Sequence, residues 1–75
     1  MAHVNIGEAV RDARKAAGLR QDQLAASAGV GLRFVVELER GKQTAQLGKV
    51  LQVLTALGLS LEVAPTHGII DGGTF

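Results

Sequence analysis

The sequence has no cysteine, no tryptophan and no tyrosine, and only one proline and two phenylalanines among its 75 residues. The missing cysteines exclude disulfide staples, thiolate nucleophiles and cysteine-based zinc sites together. The scarcity of aromatic rings argues against the stacking platforms that hold single-stranded nucleic acid. No apolar run approaches the ~20 residues that a membrane helix needs. The N-terminal stretch becomes charged before any apolar run long enough for a signal peptide, so a soluble cytoplasmic protein without a membrane partner is expected. His3 and His67 stand alone near the two ends, without carboxylates or other histidines at ligand spacing. Ser27 and Ser60 have no histidine to act as a base, and no acidic pair follows a cleft pattern. Gly29 and Gly31 resemble the start of a dinucleotide fingerprint, but Phe34 takes the third glycine's place and no strand precedes them. Neither an enzyme nor a metal or cofactor site is expected.

What remains is one small domain, 47% hydrophobic and 20% charged. Without staples, a core of this size seldom supplies more than ~3–5 kcal/mol. Close helix packing or self-association must make up the difference. The formal charge of +1 suggests no nucleic-acid partner. Its distribution does. All eight basic residues and four of the acidic ones lie between Arg11 and Lys49, a local +4, while the segment after Gly58 carries only Glu62 and Asp71.

Apolar residues Ile6, Val10, Ala13 and Ala17 recur at helical spacing, with Asn5 as a cap and Gly18 as the stop. A second helix is expected from Gln21 to Ala28, with Leu24, Ala25 and Ala28 inward and Gly29 ending it. A third runs from Leu32 to Arg40, with Val35 and Leu38 inward and Gly41 ending it. Thr44 is a candidate cap for a fourth, whose inner stripe is Leu47, Val50, Leu51, Leu54 and Leu57 and whose stop is Gly58. Gly48 weakens that helix by ~1 kcal/mol relative to alanine.

Beyond Gly58 the period changes to two. Leu59, Leu61 and Val63 alternate with Ser60 and Glu62 until Pro65 ends the run. This is a strand with no second strand in the chain to pair with, and an isolated strand is unstable. Pairing with the same strand of a second copy across a two-fold axis is the simplest resolution. An extended tail lying on its own domain is the other. The expected organisation is therefore a domain over 1–58, a dimerisation strand over 59–64 and a flexible tail over 65–75, whose Ile69, Ile70 and Phe75 leave a docking role open.

Two short helices joined by a tight glycine-containing turn form the helix-turn-helix, whose second helix lies in the DNA major groove. The small Ala25, the turn residue Gly29 and the contacts Leu24, Ala28, Val30, Val35 and Leu38 meet its demands. Through IGEAVRDARKAAGL, QDQLAASAGV and FVVELERGK, the segment from Ile6 to Leu57 resembles the lambda-repressor-like (XRE, Cro-type) helix-turn-helix family. With LSLEV following, it is similar more narrowly to the HipB-type antitoxins, bacterial repressors of their own operon that bind a HipA-type kinase toxin.

The resemblance implies a mostly α, four-helix DNA-binding domain with its C-terminal strand paired across a homodimer. It implies that Gln21 holds a phosphate of double-stranded operator DNA and that Gly31, Leu32, Arg33, Val36 and Glu37 occupy base-reading positions. Arg33 suits a bidentate contact to guanine, and Leu32 and Val36 suit thymine methyls. Arg20, Arg40, Lys42 and Lys49 are candidates for phosphate contacts. Arg14 and Glu39 match an internal ion pair of the family. The chain departs from the family pattern at Gly31 and Val36, where polar residues are common, and at Arg20, where threonine commonly caps the helix. Glu37 would repel phosphate, but it could accept from cytosine N4 or hold Arg33 four residues back. Three functions stay open: an antitoxin–repressor, a stand-alone regulator without a toxin, and an interaction module that has lost base readout.

Overall fold

The computed structural model describes residues 5–42 and 45–62, which form four helices. They are α1 (Ile6–Ala16), α2 (Gln21–Ala28), α3 (Leu32–Glu39) and α4 (Leu47–Ala56). Asn5 Oδ1 accepts the Glu8 N–H at 3.0 Å and starts α1. Glu8 lies in the first turn of α1 and Arg14 and Lys15 in its last, each sign at the end where the helix dipole favours it.

All four helices end in the same way. After each, a glycine in the left-handed region (Gly18, Gly29, Gly41 or Gly58) lets the chain fold back onto the last turn. After α2, Gly29 has φ 74°, and the following Val30 N–H reaches back to the Ala25 carbonyl at 3.0 Å. The expected stops therefore coincide with the observed ones, because each is a local hydrogen-bonding event. Ala17, expected inward, is exposed as the C-cap of α1.

Helix α3 packs against α1 and α2, and α4 packs against α2, through a wholly aliphatic core. It consists of Val10, Leu24, Ala25, Ala28, Val35, Leu38, Val50, Val53 and Leu54. Gly7 is buried where α1 meets the end of α3, and a β-carbon there would strike the Leu38 carbonyl and crowd the Glu39 α-carbon. Phe34, Val30, Leu57 and Leu59 are half-buried against the core.

The fourth helix differs from expectation. It begins at Leu47 with Gln46 as an uncapped N-terminus, and Thr44 lies outside the described residues. Its ten residues fill less than the span between Thr44 and Gly58 that the sequence suggests. Its buried face is Val50, Val53 and Leu54, so Leu47 and Leu51 are 61% and 42% exposed. At about 100° per residue, Leu51 stands roughly a quarter-turn away from Val50, whereas Val53 falls on the other side of the same inward face. A stripe of five large apolar residues is too broad to bury against α2 alone. The packing selects its Val53 edge.

Residues 59–62 form no strand. Leu59 N–H instead closes the α4 terminus on the Leu54 carbonyl at 2.8 Å, and its side chain packs on the core. Ser60, Leu61 and Glu62 are exposed, while Val63 and the 65–75 tail lie outside the described residues.

Candidate nucleic-acid interface

The connection between α2 and α3 is three residues, Gly29, Val30 and Gly31. The half-buried Val30 anchors it from within. From α4, Gln52 Nε2 donates to the Ala28 carbonyl at 3.3 Å, so the fourth helix braces the turn. Gly31 is the N-cap of α3, and a β-carbon there would meet nothing within 4 Å. The start of α3 is thus open to an approaching molecule.

Val35 and Leu38 are inward on α3, which turns Leu32, Arg33, Val36, Glu37 and Arg40 outward. Leu32 is 49% exposed and the Arg33 side chain 90%. The outer face therefore carries both apolar and charged groups. Glu37 is its electrostatic centre: Arg33 Nε lies 3.5 Å from one carboxylate oxygen and Lys42 Nζ 3.1 Å from the other. The hydrogen bond from Lys42 holds the Glu37 carboxyl below the usual carboxylate range, with Arg33 adding to it. On the α4 side, Lys49 Nζ stands 5.9 Å from the centre of the Phe34 ring, a cation–π contact beside the same helix.

The N-terminus of α2 is arranged differently from a side-chain cap. Arg20 has no acceptor atom, but Gln23 Oε1 takes its backbone N–H at 2.8 Å. The Arg20 guanidinium grips Asp22 at 3.0 and 3.3 Å, and this contact holds the Asp22 carboxyl low. A glutamine three residues into the helix is half of a capping box, and it is a signal that the sequence carried.

Behind the interface, Arg14 clamps Glu39 with Nε at 2.7 Å and Nη2 at 3.0 Å, while its Nη1 donates to the Leu19 carbonyl at 2.9 Å. The Arg14 and Glu39 side chains are only 11% and 4% exposed. Gln21 Nε2 donates to Glu39 Oε1 at 3.1 Å. Burial alone would raise the Glu39 carboxyl, but the hydrogen bonds from Arg14 and Gln21 outweigh it and hold it low. The Arg14 guanidinium is raised in turn by its hydrogen bond to Glu39. One carboxylate thereby joins α1, α2 and α3. The Gln21 amide keeps a second N–H for another acceptor.

The site residues fall into three groups: the outward face of α3 with Lys42, the α2 N-terminus with Arg20 and Gln21, and the Arg14–Glu39 clamp behind both. Gly7 and Gln52 were missed, since neither belongs to a local pattern. No described residues form a cluster of three potential metal ligands, and no described helix is long and apolar enough to cross a membrane.

A helix-turn-helix family model (HTH_3) matches residues 10–63. The chain belongs to the helix-turn-helix family. It is also 63% identical over 59 residues to an uncharacterized HTH-type transcriptional regulator, y4mF, of Sinorhizobium fredii (strain NBRC 101917 / NGR234). That alignment spans 79% of this chain and 78% of the relative. These matches concern a DNA-binding regulatory fold rather than an enzyme. They reach the XRE-type helix-turn-helix and not the narrower HipB type.

Proposed function

We propose that this chain is a DNA-binding transcriptional regulator that docks α3 in the major groove as half of a symmetric dimer. The observation that carries the reading is the outward face of α3, where the exposed Arg33 can extend to a base edge while Val35 and Leu38 lock the helix from behind. Gln21 and Arg20 would contact the phosphate backbone at the start of α2, and Lys42, Arg40 and Lys49 would do so around α3. Arg14 and Glu39 would hold the two DNA-facing elements in place.

Self-association is supported by apolar surface that the single chain leaves uncovered. Leu47, Leu51 and Leu61 are each at least 42% exposed, and a domain this small gains from a partner. Strand pairing of Leu59–Val63 across a two-fold axis remains the proposed mode, since such a strand would form only against a second copy. Two recognition helices would then enter successive major grooves ~34–36 Å apart on a near-palindromic operator.

The relative's name gives a transcriptional regulator and nothing more specific, which suits the stand-alone form of this reading better. The antitoxin form, with a HipA-type kinase as partner, draws on the sequence resemblance alone. Co-purification with the product of the neighbouring gene separates the two.

The principal experiment is a gel shift on the promoter of the chain's own operon with the parent and Arg33→Ala. A bidentate arginine–guanine contact is worth ~1–3 kcal/mol, so binding should weaken by about 5- to 150-fold. Undiminished binding by the variant removes Arg33 as a reader. A parent that binds no duplex leaves the interaction-module reading.

A further inference from the structure

Several of the cations behind the local charge of +4 stand beside carboxylates. Among the described residues, Arg20 is held by Asp22, Arg14 by Glu39, and Arg11 lies 3.9 Å from Glu8. Most telling is the outer face of α3, where one carboxylate serves two cations: Glu37 stands between Arg33 and Lys42. Arg33 and Lys42 are the candidate base reader and a candidate phosphate contact. The residue between them carries the same charge as DNA.

These contacts are too weak to act as a lock. Pairs between exposed side chains are worth ~0–1 kcal/mol, so Arg33 can leave Glu37 for a guanine at little cost. What does not leave is the charge. With α3 in a groove, the Glu37 carboxylate faces a phosphate-lined surface where the backbone oxygens and the acceptor atoms of the base edges repel it. The exceptions are the amino groups, cytosine N4 and adenine N6, from which a carboxylate accepts only when one lies at the right place in the groove.

We infer that Glu37 is a specificity-determining residue that works by exclusion: it lowers affinity for DNA in general and is tolerated only where the amino group of a cytosine or adenine lies within reach of its carboxylate. The inference rests on the proposed docking of α3. It assigns to Glu37 a role distinct from the attractive contacts of Arg33. Removing the charge frees Lys42 and Arg33 for phosphates, so non-specific binding strengthens while discrimination falls.

The test uses the full chain with two probes, a pool of random-sequence duplexes and the single duplex that the parent protein selects most strongly from that pool. Glu37→Gln should bind the random pool ~5–10-fold more tightly than the parent at about 0.1 M salt. Its salt slope should be steeper by about one, as expected for one additional neutralised phosphate. The preference for the selected duplex should fall by at least the same factor. Glu37→Ala separates the lost charge from any new amide contact and should behave alike; circular dichroism confirms that both variants keep their helices. If neither variant gains affinity for the random pool, or if the preference is unchanged, Glu37 does not act by exclusion. A parent protein that binds neither probe overturns the docking itself, a result distinguishable from the other two.

Discussion

Replacing Glu39 with glutamine preserves the shape of the side chain and removes the charge on which three helices converge. The Arg14 guanidinium, 11% exposed, would then face a neutral amide in place of two charge-assisted bonds at 2.7 and 3.0 Å. Breaking a buried ion pair from one side costs about 3–5 kcal/mol. Here Arg14 keeps its bond to the Leu19 carbonyl and lies close enough to the surface to recover some water, so we expect ~2–4 kcal/mol. For a domain of this length that corresponds to a fall in Tm of roughly 10–25 °C. With no tryptophan or tyrosine in the chain, urea unfolding is best followed by far-UV circular dichroism. Arg14→Met and the Arg14→Met/Glu39→Gln pair complete a double-mutant cycle, whose coupling should exceed ~1.5 kcal/mol, the value expected of charge-assisted hydrogen bonds. The sign with pH is set by Glu39, whose folded-state carboxyl is held low. Its stabilising contribution is present in full above the unfolded value near ~4.3 and is lost as the pH falls through the lower folded value. The parent should therefore lose stability more steeply below about pH 4 than Glu39→Gln does. A coupling below ~0.5 kcal/mol, typical of an exposed pair, together with parallel acid limbs, would refute the clamp.

Two further outcomes follow from packing. Gly7→Ala should destabilise the fold by ~1–3 kcal/mol through overpacking, despite the better helix propensity of alanine. Thermal melts read the loss, and an unchanged Tm would mean that α1 can slide off α3. Leu61→Pro should abolish dimerisation by removing a ladder donor. Sedimentation of a variant that stays dimeric would exclude pairing through this segment.

Much of the chain was legible before any fold was seen. Asn5 and the glycines after each helix announced where helices start and stop, because caps involve hydrogen bonds within a few residues. Leu24, Ala28, Val35 and Leu38 announced the inner faces of α2 and α3, since on short amphipathic helices only one side can be covered. The assignment was harder on α4, where the leucines outnumber the positions that α2 can bury.

The division between sequence and fold lies there. Local chemistry by itself determined the helix boundaries of α1 to α3, the three-residue turn and the outward position of Arg33. Tertiary structure decided the rest: that Val53 rather than Leu51 faces inward, that α1 needs Gly7 to approach α3 and that Gln52 braces the turn. Each of these depends on which surfaces meet, and a contact between distant segments has no periodic signature in the chain that makes it.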